Sequence, residues 1–270
     1  TGTGVSKTDR SGLGATELNG VCQPVEMTFS TNDPLNYTGL IFSGSKICDT
    51  LDLSQFQNLD FILMNVNEID EVIFPASTKT ALFLLFDNNN LTTVDLSPFS
   101  NLGGGFNFSL NPNLTTITMP VSIGAGASNL QAFTVTDCDL TGVLDVSMVD
   151  KITGSWNLAR NPNLTGVTFT SSQNAPGQQL NILDINACDL TGTLDLSGID
   201  RMLTILRLET NPNLTVVTFA PVIAADAPAV QVMHIHDCDL TGNLDISMFH
   251  RFGGSFDVHN NPNLTTITNP

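Results

Sequence analysis

The chain has 270 residues and a mass of 28.8 kDa, enough for one sizeable hydrophobic core. Apolar residues make up 41% of it, and 26 acidic against nine basic residues give a formal net charge of −17. Such a chain is repelled by phosphate groups, so nucleic acids and anionic membranes are not expected as partners. No apolar run approaches the roughly 20 residues of a membrane-spanning helix, so membrane insertion is not expected either.

Residues 1–36 are predicted to form an N-terminal tail and cap. Residues 1–20 are rich in Gly, Ser and Thr, which predicts a loose tail. Val25, Met27 and Phe29 then alternate with polar residues, as a capping strand would. A cap is needed because each turn of a repeat protein buries its apolar side only against neighbouring turns.

Residues 37–270 carry an internal repeat of 50 residues. The string Asn-Pro-Asn-Leu-Thr begins at positions 111, 161, 211 and 261, and Cys-Asp-Leu-Thr-Gly begins at 138, 188 and 238. Each 50-residue unit therefore fits two solenoid turns of about 23 and 27 residues. We predict a β-rich solenoid of about ten turns. No cap sequence follows the last repeat, so we expect either a longer native chain or an open end that stacks on a partner.

Each turn has apolar residues at a fixed spacing, followed by an asparagine or a cysteine. Leu59, Ile62 and Met64 precede Asn67 in this way, and the last two apolar residues predict a short strand. A buried asparagine after the strand can satisfy backbone groups of the turn, and stacked copies would form a ladder. Cysteine can fill the same position as a small, weakly polar group. We call this position the slot, and its occupants are Ser45, Asn67, Asn89, Asn111, Cys138, Asn161, Cys188, Asn211, Cys238 and Asn261.

This pattern resembles the leucine-rich repeat family, whose consensus is L-x-x-L-x-L-x-x-N/C-x-L. The Leu-Thr-Gly-x-Leu strings at 140–144, 190–194 and 240–244 are similar to plant-type extracellular repeats, and the Asn-Pro-Asn-Leu-Thr turns are similar to repeats of bacterial and protist surface proteins. The resemblance implies a horseshoe or rod with parallel strands and an irregular or short helical convex side. Many leucines are replaced by Phe, Ile or Val. A right-handed parallel β-helix has turns of similar length and is the alternative fold.

The five cysteines fall into two groups. Cys138, Cys188 and Cys238 occupy slots two turns apart, or about 10 Å. A disulfide needs Cα atoms within about 7 Å, so we predict that these three are buried thiols. Cys22 and Cys48 lie in the cap and the first turn, and we predict a disulfide between them. Such a bridge implies an oxidising compartment, so the chain is predicted to be secreted or on the cell surface.

Sequons agree with an extracellular location. Four of the seven belong to the Asn-Pro-Asn-Leu-Thr repeat, so the fold itself can require these residues. Glycosylation and a purely structural role both stay open. The possible N-glycosylation sites are Asn36, Asn90, Asn107, Asn113, Asn163, Asn213 and Asn263.

Aspartates recur in the motif Leu/Val-Asp-x-Ser. An aspartate just before a short helical turn is a capping signal, and this is the predicted role. Calcium binding is the alternative, but the two-turn spacing of about 10 Å disfavours it, and this row lacks the dense Asp-x-Asp spacing of a calcium loop. We predict no metal and no cofactor. The aspartates of this row are Asp52, Asp95, Asp145, Asp195 and Asp245.

A leucine-rich strand exposes, on its concave face, the two residues that flank its inner apolar position. By this rule an apolar patch of Ile41, Leu63 and Leu85 lies at the N-terminal end. The C-terminal end holds three of the four histidines beside carboxylates, a combination that can bind a metal or respond to pH near neutrality. A solvated polar face and a recognition patch are the other interpretations. The predicted concave-face binding residues are Asp184, Arg207, Glu209, His234, His236, Asp257 and His259.

No catalytic motif is present in the sequence. It contains no Gly-x-Ser-x-Gly, His-Glu-x-x-His or Cys-x-x-Cys string, and its single tryptophan, Trp156, is predicted to point inward. The resemblance therefore implies a non-enzymatic extracellular recognition or adhesion protein that binds a protein or glycan through its concave face. The alternative is a building block of an extracellular layer, wall or filament that associates with itself through the repeat flanks or the uncapped end.

Overall fold

The computed structural model describes residues 38–76, 81–121, 130–149, 152–169, 180–199, 202–223 and 227–269. All regular secondary structure within these ranges is β-strand. In the same ranges there is no helix of the length and apolar character needed to cross a membrane. The predicted tail and cap at 1–36 lie outside the described residues.

A parallel sheet of ten strands forms one side of the solenoid. It contains only the odd-numbered strands, so each neighbour in the sheet lies one turn further along the chain. Nine turns therefore separate the first strand from the last, and the predicted β-rich solenoid is confirmed. The strands are β1 (Gly39–Ile41), β3 (Phe61–Leu63), β5 (Ala81–Leu85), β7 (Leu102–Asn107), β9 (Leu130–Thr134), β11 (Ile152–Asn157), β13 (Leu180–Asp184), β15 (Met202–Arg207), β17 (Val230–His234) and β19 (Phe252–Asp257).

A second short strand follows each strand of the ten-stranded sheet. These strands pair into five separate two-stranded parallel sheets, where the sequence predicted irregular or short helical segments. Buried and exposed residues alternate in the two strands at 93–95 and 116–118, as expected for a strand. In three of the longer strands a register shift places the buried residues three positions apart, as at Leu164 and Val167. The short strands are β2 (Cys48–Asp52), β4 (Glu68–Ile73), β6 (Thr93–Asp95), β8 (Thr116–Thr118), β10 (Thr141–Asp145), β12 (Asn163–Thr168), β14 (Thr191–Leu196), β16 (Asn213–Phe219), β18 (Gly242–Asp245) and β20 (Leu264–Thr268).

The recurrent aspartates cap a tight turn, and among the described residues this turn does not continue into a helix. Ser54 N–H donates to the Asp52 carboxylate at 2.8 Å, and Phe56 N–H donates to the Leu53 carbonyl at 2.9 Å. The second bond closes a four-residue turn. The aspartate–serine bond recurs at Asp95, Asp145, Asp195 and Asp245.

The slot asparagines form the predicted ladder through the core. Asn161 is fully buried, and its Nδ2 donates to the carbonyls of Val135 at 2.7 Å and Leu158 at 2.8 Å. Its Oδ1 accepts from Leu140 N–H at 3.1 Å. Each asparagine therefore joins its own turn to the one before it and satisfies backbone groups that the turns bury. The same bonding recurs at Asn67, Asn89, Asn111, Asn211 and Asn261.

The slot cysteines are buried free thiols, as predicted. The Cys138 thiol donates weakly to the carbonyls of Phe108 at 3.3 Å and Thr136 at 3.4 Å. Loss of solvation on burial raises the pKa of Cys138, Cys188 and Cys238 to about 11 each. Cys22 lies outside the described residues, so its predicted disulfide with Cys48 stays a prediction.

These thiols should be nearly inert in the folded protein. At pH 8 a pKa of about 11 leaves roughly 0.1% thiolate, against roughly 10–25% in an unfolded chain. We expect each to react with iodoacetamide at least about 100-fold more slowly in native than in urea-denatured protein. Peptide mass spectrometry would follow Cys138, Cys188 and Cys238 separately, and rapid labelling of any of them in native protein would contradict the buried placement.

The raised thiol pKa also sets the sign of an alkaline effect on stability. The unfolded chain releases its thiol protons near pH 8.5–9, and the folded chain holds them to about pH 11. The stabilisation is therefore complete below about pH 8.5 and is lost as pH rises to about 11. Urea titrations at pH 8, 9 and 10 should show a falling free energy of unfolding.

Candidate recognition face

The ten-stranded sheet presents its outward side chains in columns. One column runs along the whole sheet, because neighbouring strands pair these residues directly. The residues two positions further on lie in adjacent turns that are joined by backbone hydrogen bonds, for example Thr210 N–H to the His236 carbonyl. We call this surface the sheet face. The paired column is Ile41, Leu63, Leu85, Asn107, Thr134, Asn157, Asp184, Arg207, His234 and Asp257.

The N-terminal apolar patch is wider than the sequence analysis proposed. Ile41 is 62% exposed, and Leu63 and Leu85 are half-buried beside it. Phe61 and Phe83 lie two positions before Leu63 and Leu85 and form a second outward column on the same face. Their ring centroids are 5.8 Å apart, and Phe83 is 41% exposed. The rule applied to the sequence took only the two residues that flank the inner apolar position of each strand. It therefore missed both phenylalanines, which come before the first apolar position. Period-two alternation would have found them.

Asp184 and Arg207 form a pair in the C-terminal half of the face, on the seventh and eighth strands of the sheet. Arg207 Nη1 lies 3.7 Å from Asp184 Oδ2, and the aspartate side chain is only 8% exposed. Asp184 Oδ1 also accepts from Asn186 Nδ2 at 2.6 Å. A nearly buried carboxylate therefore has both an amide donor and a cation, which compensate for part of its lost hydration. Glu209 lies next to this pair in sequence, and its Oε2 is buried with no hydrogen-bond partner among the described residues.

The histidines form one cluster at the C-terminal end of the face. The rings of His236 and His259 stack with centroids 4.4 Å apart, and the ring centroids of His234 and His236 are 5.9 Å apart. His259 Nδ1–H donates to Asp257 Oδ1 at 2.6 Å, and this hydrogen bond raises the pKa of His259 and lowers that of Asp257. His234 Nε2 bonds Ser255 Oγ at 2.9 Å.

Asp237 belongs to this cluster, and the sequence analysis missed it. Its Oδ2 lies 2.7 Å from His236 Nδ1 and 3.9 Å from His259 Nε2, and its Oδ1 accepts from Asn260 Nδ2 at 2.7 Å. Those hydrogen bonds lower the pKa of Asp237. The residue just before the slot has a left-handed backbone, with φ of 53° at Asp237 and 51° at Asn260. This turn carries the side chain back toward the histidines, which a strand-face rule cannot anticipate.

The same turn position holds a second ion pair. Arg160 Nε and Nη2 donate to the two oxygens of Asp137 at 2.5 and 2.6 Å, two 50-residue periods before the contact of Asp237 with Asn260. The bond lowers the pKa of Asp137 and raises that of Arg160. Both residues are substantially exposed, so the pair adds little to stability. The repeat thus uses this position for contacts between adjacent turns.

The sequon asparagines make structural bonds. Asn163, Asn213 and Asn263 are exposed, and their Nδ2 atoms donate to Asp139, Asp189 and Asp239 of the preceding turn at 2.6–2.7 Å. Asn107 donates to Asp87 in the same manner at 3.2 Å, and Asn36 lies outside the described residues. The fold therefore uses these asparagines whether or not they carry glycans. Asn90 and Asn113 are also exposed.

Comparisons of the chain with protein-family models, with curated proteins and with solved structures found no match. The repeats can still be compared with one another. At 50-residue intervals the slot turns read Asn-Pro-Asn-Leu-Thr or Cys-Asp-Leu-Thr-Gly without change. The sheet face does not repeat: Thr134 becomes Asp184 and His234, and Asn157 becomes Arg207 and Asp257. Positions that hold the turns together therefore carry the same residues in each 50-residue unit, whereas the outward strand positions carry different residues.

Proposed function

We propose that this protein is a non-enzymatic extracellular recognition or adhesion protein that binds a protein or glycan partner through the sheet face. The observation that carries the proposal is the contrast within the repeat. The slot strings Asn-Pro-Asn-Leu-Thr and Cys-Asp-Leu-Thr-Gly are identical from one 50-residue unit to the next, and the outward strand residues of the sheet face differ in charge and size. Fold requirements account for the first set. The second set supports a surface adapted to a particular partner.

The chemistry of the face indicates what kind of partner it suits. The apolar end, with Ile41, Phe61 and Phe83, suits a partner with exposed apolar groups. The other end offers imidazoles, carboxylates and Arg207 as hydrogen-bond donors and acceptors. The net charge of −17 favours approach by a neutral or basic partner over a polyanion.

A secreted or cell-surface location is part of this proposal. It is supported by the sequons, several of which are exposed, and by the predicted bridge between Cys22 and Cys48. The resemblance to leucine-rich repeats supports the same location, and a binding role through the sheet face is what that family resemblance implies. A parallel β-helix remains the alternative description of the solenoid.

Arrays of defined glycans and a panel of purified cell-surface ectodomains would test the proposal. The face variant combines Arg207→Gln with His234→Gln. The matched control combines His250→Gln with Arg251→Gln. It changes the same two residue types, but at positions just before β19 and off the face. A ligand bound by wild type and control, and at least about tenfold more weakly by the face variant, is the expected result. Equal binding by both variants would contradict the proposed surface.

The second candidate function is a building block of an extracellular layer, wall or filament. The repeated slot strings favour it, since identical turns with Asn–Asp contacts between them recur at 50-residue intervals along one side of the solenoid. Light scattering over a concentration series separates the two functions. Growth into rods, with no ligand found on the arrays, would favour self-assembly, whereas a constant mass of 28.8 kDa would favour a free binder.

A further inference from the structure

We propose that His236, Asp237 and His259 form a binding site for a divalent transition-metal ion, and that this ion is zinc. The three residues offer one ligand atom each, and these atoms lie within 4.8 Å of one another. Imidazole nitrogen and carboxylate oxygen are ligand types that zinc accepts. The inference does not depend on the partner binding proposed above, because it concerns the metal alone.

The distances between the ligand atoms are close to those of a bound site. Tetrahedral zinc with bonds of about 2.0–2.1 Å places neighbouring ligand atoms roughly 3.3 Å apart. Asp237 Oδ2 lies 2.7 Å from His236 Nδ1 and 3.9 Å from His259 Nε2, on either side of that value. The side chains are half-buried or exposed, and the two stacked rings would turn out of their nearly parallel arrangement to direct both nitrogens at one ion. The ion would take the place of the proton on His236 Nδ1.

Outer contacts already orient two of the three ligands. His259 donates its Nδ1 proton to Asp257 Oδ1 at 2.6 Å, which leaves Nε2 with a free electron pair on the side of Asp237. Asn260 Nδ2 bonds Asp237 Oδ1 at 2.7 Å, which leaves Oδ2 for the ion. A carboxylate behind a ligating histidine is the usual support of such sites and fixes the ring tautomer.

A second observation beside the cluster also favours a cation. Glu209 precedes His236 by one turn on the sheet face, with Thr210 N–H bonded to the His236 carbonyl at 3.0 Å. The Oε2 atom of Glu209 is buried and has no hydrogen-bond partner among the described residues. A buried carboxylate oxygen without a donor is costly, and a nearby positive ion would reduce that cost. Cys238 is not a ligand, since its sulfur is buried and bonds the Leu208 carbonyl.

The experiment is isothermal titration calorimetry, in which zinc chloride is titrated into the untagged, chelator-treated protein at pH 7.5. One saturable site per chain is expected. His236→Gln and His259→Gln should each weaken it at least about tenfold, and Asp257→Asn, which removes only the outer carboxylate, by about 10- to 100-fold. His250→Gln is the matched control, because His250 is exposed and outside the cluster.

Cobalt(II) gives an independent readout of the ligands. Its visible spectrum in the wild-type site should lack a thiolate charge-transfer band and should disappear in His259→Gln. Circular dichroism of the metal-free variants checks that they fold. The absence of a saturable site, or zinc binding that is equal in wild type and His259→Gln, would overturn the proposal. A thiolate band would also overturn it, because it would place the metal at a cysteine.

Discussion

Replacing Asn161 with leucine is expected to lower the free energy of unfolding by about 3–5 kcal/mol. The substitution keeps the branched shape and the number of side-chain heavy atoms but removes every polar atom from a fully buried position. Leu140 N–H loses its acceptor, and the carbonyls of Val135 and Leu158 lose a donor. Each buried backbone group left unpaired costs about 1–3 kcal/mol. Urea denaturation followed by circular dichroism at 218 nm would measure the loss.

A change at a cysteine slot provides the comparison. Cys188 occupies the equivalent position one turn later, but its thiol is only a weak donor to the carbonyls of Leu158 and Asn186. Cys188→Ala should therefore cost about 1–2 kcal/mol, chiefly through lost packing. Equal losses for Asn161→Leu and Cys188→Ala would mean that packing, rather than backbone bonding, explains the ladder.

The alternation of asparagine and cysteine in the slots has a structural reason. Wherever the preceding turn begins with Cys-Asp-Leu, the leucine N–H is directed at the next slot, and an asparagine Oδ1 accepts it, as Asn161 accepts from Leu140. Wherever the preceding turn reads Asn-Pro-Asn-Leu, the leucine N–H instead closes the turn on its own asparagine carbonyl, as in Leu164 N–H to Asn161. The next slot then needs no acceptor, and cysteine occupies it. This bonding explains why the repeat is 50 residues long and not one turn.

Much of this architecture could be predicted from residue types and spacing. Apolar residues two positions apart predicted the strands of the long sheet, and the buried amide after each strand predicted the ladder, since both follow from local rules. The even-numbered short strands were not predicted, because a Leu-Thr-Gly-x-Leu segment can form a strand or a helical turn and its pairing partner lies about 20–23 residues away. Tertiary pairing decides between them.

The candidate site was predicted only in part for a similar reason. His234, His236 and His259 follow from strand alternation, so the sequence placed them on one face. Asp237 depends on a left-handed residue in the turn, at a φ of 53°, and non-glycine residues rarely adopt that conformation. The repeated string Asp-Cys-Asp at positions 137–139 and 237–239 was the available signal, because it places an acidic residue before the slot twice at the same phase.

Adding a single methyl group at Gly154 should lower the free energy of unfolding by an amount comparable to that expected for Asn161→Leu. The residue lies at a β-bulge in β11, with φ of 72°, and an alanine Cβ there would fall far inside van der Waals contact with the carbonyl oxygen of Gln131. A left-handed alanine costs about 1–2 kcal/mol by itself, and the clash requires neighbouring strands β9 and β11 to separate. We expect Gly154→Ala to lower the free energy of unfolding by about 3 kcal/mol or more.

Gly192→Ala separates the clash from the backbone conformation. Gly192 has nearly the same φ, 68°, but a Cβ there meets nothing within 4 Å. It should therefore cost only the conformational term, about 1 kcal/mol. Parallel urea titrations of the two variants would give the difference of about 2 kcal/mol or more that belongs to strand contact. If the two alanine variants unfolded at the same urea concentration, β9 and β11 would not approach each other as closely as Gly154 requires, and the bulge would have another cause.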